Sequence, residues 1–327
     1  MKISISLSGA LTQLPLEEQV AYVVEAERMG VHSVWTAEGW GRDAVTPLAY
    51  MAARTSRIKL GTGIMQISAR VPAMTAMTAI TLAELSENRF ILGLGASGPQ
   101  IVEGLHGISF AEPLTRLRET VELMRLAFAG EKLSYAGRHH RLPLPDGEGK
   151  AIRLSKSADA RIPIYLATLG RKSLAYTGAV ADGWLGTAFT PEHSNALLGD
   201  IRAGAASAGR TLEGFDVHVG AAVLCFDDNV DELVDSERMG RAFTLGAMGS
   251  RETNFYKDAY ARAGWEDAAN EVQTLWLAGK REEAAARVPA EMILQTNLFG
   301  NEDAVSARLR AYRDAGVTTL KVQPRGS

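Results

Sequence analysis

The residues best placed to do chemistry are those that leave short apolar runs: Ser8-Gly9, Glu38-Gly39-Trp40, Gly63-Ile64-Met65-Gln66, Ala96-Ser97-Gly98, Thr168-Leu169-Gly170-Arg171-Lys172-Ser173 and Thr187. They are small, rich in glycine and thinly supplied with titratable groups. No HExxH, no G-x-S-x-G and no legible pair of carboxylates occurs, so hydrolytic and metal chemistry have no support in the pattern. Flat, glycine-lined walls suit a planar cofactor that brings its own reactivity.

Two stretches could hold an anion. The run 93-GLGASG-98 formally matches G-x-G-x-x-G after a strand. Its last glycine is followed by Pro99 and an irregular fragment, and clear helical periodicity resumes only near Glu112, which argues against a dinucleotide fingerprint. At 168-TLGRKSLAYTGAVADG-183 a strand ends, Gly170 allows a tight turn and a helix begins at Arg171 to Ser173. Free backbone N–H groups, the helix dipole and two cations converge there, which suits a phosphate; a solvated helix start with exposed Arg171 and Lys172 is the alternative. His139 and His140 are expected on exposed surface.

The elements that must position these residues alternate. Strand-like runs fall at 2–7, 33–38, 58–66, 90–96, 162–168, 183–189, 215–224 and 318–324, and helical patterns at 16–29, 45–54, 72–86, 112–129, 171–181, 191–208, 229–247 and 302–315. Eight such units predict an α/β fold with a parallel sheet, and the count favours a closed (β/α)8 TIM-like barrel over an open sheet, one domain over 1–327. Two spans exceed a minimal barrel: 131–154, which reads as a hairpin excursion after helix 4, and 250–292, a mostly helical insertion between units 7 and 8. Active residues in such a barrel leave the C-terminal ends of the strands.

Within 57-RIKLGTGIMQISAR-70 two glycines, Gly61 and Gly63, interrupt an apolar strand. Glycine there marks a bulge or a close approach of backbone or ligand.

The bulk composition is that of an ordinary globular protein: 327 residues, 46% hydrophobic, 22% charged, formal net charge −3. The charge gives no reason to invoke nucleic acid or an anionic membrane surface. Cys225, the only cysteine, excludes an intramolecular disulfide and reads as core. No signal peptide and no transmembrane run is legible, which makes the cytoplasm the expectation.

The stretches DAVTPLAYMAART at 43–55, LGTGIMQISARVPAMTAM at 60–77 and SGPQIVEGLHG at 97–107 strongly resemble the bacterial luciferase-like family, in particular its coenzyme F420-dependent branch. The resemblance covers nearly the whole chain and weakens in 250–292. It implies a TIM-like barrel with a deazaflavin at the strands' C-terminal mouth and the phosphate tail after strand 5. Carried onto this sequence, Glu38 becomes a polar contact to the cofactor or substrate. Gly63-Ile64 becomes the bulge behind the ring, often with a non-proline cis peptide. Gln66, Ala96, Ser97 and Gly98 flank the ring, and Leu169, Gly170, Arg171, Lys172 and Ser173 hold the phosphate.

The implied reaction is hydride transfer between the deazaflavin and a carbonyl, activated alkene or imine of a small substrate. Glu38, Glu103 and His106 are the candidate proton donors, with plain loop roles as the alternative for the last two. Trp40 and Gln100 are the candidate pocket residues. Two departures narrow the reaction. Gly39 and Gly98 stand where the branch's sugar-phosphate dehydrogenase has its histidine and glutamate, and Ser6 stands where the pterin reductase has a glutamate. Flavin mononucleotide monooxygenation on the same barrel and a non-catalytic flavin-binding role are the rivals. Relatives commonly dimerise, so a homodimer is expected.

Overall fold

The computed structural model describes residues 1–158 and 161–325. The chain divides into two compact units, Ile5–Ala167 and Met1–Ser4 together with the chain from Thr168 on.

In the first unit strands and helices alternate: β1 (Lys2–Ser6, cut by the unit boundary), α1 (Leu16–Arg28), β2 (Ser33–Thr36), α2 (Val45–Ala52), β3 (Lys59–Thr62), β4 (Met65–Gln66), α3 (Pro72–Leu85), β5 (Phe90–Gly95), α4 (Pro99–Val102), α5 (Pro113–Phe128), β6 (Tyr135–Ala136), β7 (Arg141–Leu142) and β8 (Ile164–Ala167). The helices begin where the chemistry favours it. α1 carries Glu17 and Glu18 in its first turn and Arg28 in its last, each matched to the helix dipole, and α3 and α5 open on proline.

β3 pairs in parallel with β2 and β5, β5 with β4 and β8. β2 and β5 are buried at every residue, as strands covered on both faces must be. The run expected as one strand over 58–66 is therefore two short strands, parted at a cis Gly63–Ile64 peptide. The expected excursion is present as the antiparallel β6–β7 hairpin.

The second unit continues with α6 (Arg171–Val180), β9 (Gly183–Gly186), α7 (Asn195–Ser207), β10 (Asp216–Cys225), α8 (Val230–Ala247), α9 (Phe255–Tyr260), a kink at Ala263 and Gly264, α10 (Glu266–Leu277), α11 (Arg281–Ala286), α12 (Ala290–Thr296), β11 (Leu298–Phe299), α13 (Glu302–Asp314) and β12 (Thr319–Pro324). β10 runs parallel to β9, β11 and β12, with a register shift between Val219 and Ala222. Cys225 is buried at the end of β10. The expected insertion is the helical run from α9 to α12, while the two-residue β11 had no signal of its own. No helix among the described residues is long and apolar enough to cross a membrane.

Candidate functional site

The wall at the end of β3 starts with a packing constraint. A Cβ on Gly61 would fall 2.5 Å from Cζ3 of Trp35, a fully buried indole that leans on Tyr165 at 5.8 Å between ring centroids. Gly61 is glycine because the indole fills its side of the strand. Gly63 donates its N–H to the Thr36 carbonyl at 2.6 Å, and Glu38 donates its own to the Ile64 carbonyl at 3.1 Å, so the loop after β2 is laced to the cis turn. The Ile64 side chain then needs Gly95, where a Cβ would stand 2.6 Å from Ile64 Cδ1. That second glycine requirement was not legible in the local pattern.

Glu38 is the hub of this wall. Its carboxylate accepts the Gln66 N–H at 3.0 Å and a long bond from the Ala44 N–H at 3.5 Å, and pairs with Arg70 at 2.5 Å, with only 8% of its side chain exposed. Gln66 donates its Nε2–H to the Glu38 carbonyl at 3.1 Å. Arg70 was not foreseen, although it lies inside the quoted 57–70 run. Nearby Asp43 accepts the N–H groups of Val45 and Thr46 at 2.8 and 2.7 Å. Burial works to raise its carboxyl, yet those donors and Arg70 hold it below the usual value.

Two polar atoms beside this network, Gln66 Oε1 and Ser68 Oγ, are buried and have no hydrogen-bond partner among the described residues. Buried polar groups are rarely left so, and a ligand with donors and acceptors at its edge would satisfy them. Ala96, Ser97 and Gly98 follow β5 half-buried, with Ser97 in the left-handed region at φ 59° and open space where a Cβ on Gly98 would point.

The candidate proton donors and pocket residues lie further out. Glu103 is exposed and its Oε1 accepts the Phe110 N–H at 2.9 Å, which ties the two ends of the loop after α4 together. His106 and Gln100 are exposed, and Trp40 is 67% exposed.

In the second unit the loop after β8 leads into α6. Gly170 is the helix N-cap and supplies no side-chain cap; Ser173 Oγ donates to the Gly170 carbonyl at 2.8 Å, and Arg171 and Lys172 are exposed in the first turn. Uncapped N–H groups at a helix start with two cations beside them can receive a phosphate. The loop is braced by Trp184, whose Nε1–H donates to the Thr168 carbonyl at 2.8 Å.

Sequence reasoning missed a third cation. Arg262, at the kink between α9 and α10 of the insertion, donates to the Leu169 carbonyl and faces Asp200 at 3.5 Å. Burial above all lowers its proton affinity; Asp200 opposes this and Arg171 adds to it, which puts the two guanidinium groups in each other's field.

Lys321 is a further titratable group with no signal in the sequence reading. It lies within β12, its stem against Gly220, where a Cβ would fall 2.5 Å from Lys321 Cε. Among the described residues it has no hydrogen bond or ion pair, and burial pushes its ammonium down to about 8.

One expectation is corrected. His139 and His140 are half-buried rather than exposed, because the Glu119 carboxylate reaches into the hairpin and accepts the N–H groups of Arg138, His139 and His140 at 2.6, 2.9 and 2.9 Å. Burial pushes the His140 imidazole down. Among the described residues no three His, Cys, Asp or Glu side chains gather as a metal site.

Residues 1–319 match the family described as luciferase-like monooxygenase. The chain is 38% identical over 330 residues, 98% of its own length and 94% of the relative's, to a protein of Mycobacterium tuberculosis provisionally named a coenzyme F420-dependent oxidoreductase. It is 35% identical over 310 residues, 94% and 90% of the two chains, to the 5,10-methylenetetrahydromethanopterin reductase of Methanolobus tindarius. The coenzyme F420-dependent tetrahydromethanopterin reductase structure from Methanopyrus kandleri superposes with a TM-score of 0.79 at 24% identity, covering 99% of this chain and 92% of that one. That likeness shows the fold, the TIM-like (β/α)8 barrel expected from the alternation of strands and helices.

Proposed function

This chain belongs to the luciferase-like monooxygenase family, and from that premise we propose that it is a coenzyme F420-dependent oxidoreductase acting on a carbonyl, activated alkene or imine of a small organic substrate. The observation that carries the reading is the wall from Gly63 to Ser68, where buried Gln66 Oε1 and Ser68 Oγ have no hydrogen-bond partner among the described residues. A planar heterocycle with polar edges fits such a wall. When bound, a reduced deazaflavin supplies the hydride.

The chain's own residues then bind, orient and protonate. Gly63, Ile64, Gln66, Ala96, Ser97 and Gly98 form the ring wall, and Glu38 holds it in shape through Gln66 and Arg70. Leu169, Gly170, Arg171, Lys172 and Ser173 take the phosphate at the start of α6. Glu38 has its oxygens taken up by donors, so it acts as an anchor and polar contact to the ligand more readily than as a proton source. Glu103, through the oxygen not bonded to Phe110, and His106 are the proposed donors, with Trp40 and Gln100 at the pocket edge. A histidine suits proton transfer near pH 7. We place the protein in the cytoplasm as a homodimer.

The test is binding followed by turnover. Purified protein is titrated with F420 and with flavin mononucleotide, then assayed against a panel of ketones, enones and imines with oxygen uptake monitored. F420 binding with oxygen-independent turnover is expected. Oxygen-consuming turnover with the flavin instead would overturn the reading, and tight binding without turnover would favour a non-catalytic role. The donor assignment fails if neither Glu103→Gln nor His106→Gln lowers turnover by more than about tenfold, ~1.4 kcal/mol of barrier.

A further inference from the structure

The second unit contains a cavity of about 290 Å³, set between β10, the turn that follows β9 and the insertion. Its walls are aromatic: Phe189, Tyr256, Tyr260 and Tyr312, with Phe189 and Tyr312 stacked at 6.2 Å and 30°. Ala188, in the turn after β9, also lines it and is held in the left-handed region at φ 53°. Non-glycine residues are kept in that region only where the surroundings impose it, and such positions cluster at ligand sites.

Two charged residues of α8, one turn apart, line the cavity, and they differ in how they are balanced. Glu237 is paired with Arg325. Arg241 has no carboxylate within ion-pair distance among the described residues. It donates to the Tyr260 hydroxyl and, at 2.8 Å, to Thr296 Oγ1, and it lies 5.1 Å from the centre of the Tyr260 ring. All of these partners are neutral, and Nε is buried with no acceptor among the described residues. The cavity therefore carries one positive charge that the protein leaves unbalanced, in surroundings where an unbalanced charge is costly.

We propose that this cavity is a binding site for a small aromatic carboxylate, with the rings against Phe189, Tyr256 and Tyr312 and the carboxylate at Arg241. An arginine fork and a planar anion are matched in geometry as well as charge. Size limits the ligand: a cavity of about 150 Å³ accepts benzene, so this one has room for roughly two fused rings. The site is built from the second unit alone and does not depend on the redox reading.

The probe is 2-naphthoate, compared with its neutral isostere 2-naphthalenemethanol by calorimetric titration of the full chain. The unsubstituted protein is expected to bind the carboxylate at least tenfold more tightly than the alcohol. Arg241→Met should remove that preference while leaving alcohol binding within about twofold. Thr244 lines the same cavity from an accessible turn of α8. Thr244→Trp should fill the space and abolish binding of both probes with the melting temperature unchanged or raised, which keeps the test decisive if Arg241→Met folds poorly. The proposal is overturned if naphthoate fails to bind at millimolar concentration, if it binds no better than the alcohol, or if Thr244→Trp leaves its affinity intact.

Discussion

Replacing Lys321 by methionine should make the protein more stable at neutral pH. The side chain lies within β12 with its stem against Gly220 and no partner for its charge among the described residues, and burial takes its ammonium from 10.5 to about 8. A gap of that size corresponds to about 3 kcal/mol of cost to the folded state, or about 2 once allowance is made for the part of the side chain that water still reaches. The sign follows from the proton count. Below pH 8 both states hold the proton and the folded state bears the full cost. Between 8 and 10.5 the folded state releases it first, so stability contributed at this site rises with pH.

Lys321→Met removes the cost at every pH. The variant should therefore gain about 2–3 kcal/mol at pH 7, a shift of roughly 0.7–1 M in urea midpoint for a slope of about 3 kcal/mol/M, and the gain should shrink steadily as pH rises toward 10. Tryptophan fluorescence in urea at pH 7, 8.5 and 10 reads both quantities. A variant no more stable than the parent at pH 7, or a gain that stays constant from pH 7 to 10, would refute the reasoning.

Gly61→Ala should lose roughly 1–3 kcal/mol, because its Cβ meets the rigid Trp35 indole, whereas Gly149→Ala, with nothing within 4 Å, should stay within about 0.5 kcal/mol; thermal melts compare them. Glu119→Gln should weaken the protein by roughly 1–3 kcal/mol at pH 7. Burial works to raise the Glu119 carboxyl, but the three hairpin N–H groups hold it below the usual value. Its contribution is therefore present above the ordinary glutamate range and lost as pH falls through the lower folded value. Melting curves from pH 7 down to 3 should show the parent and variant converge in acid.

The strands and helices were legible because their signals are local. β5 is an unbroken run without a polar side chain, α1 announces itself with acidic residues at its start and an arginine at its end, and Pro72 opens α3. The start of α6 after Gly170 was legible for the same reason. What stayed hidden depends on partners distant in sequence. Gly61 answers to Trp35 and Gly95 to Ile64, and no local pattern carries such pairings. Arg262 meets Leu169 across 93 residues, and the half-burial of His139 and His140 follows from Glu119 about 20 residues earlier. The cavity around Arg241 draws on segments spread from Thr187 to Leu320, and its unbalanced charge emerges only once Glu237 is seen to belong to Arg325.

The bond from Arg262 to the Leu169 carbonyl joins the insertion to the turn that opens α6. An insertion exchanged for another of different length would have to restore that fastening or release the start of α6 from it. Variation in the insertion is thus not a private matter of the surface it covers: reshaping it would also change how firmly the start of α6 is held.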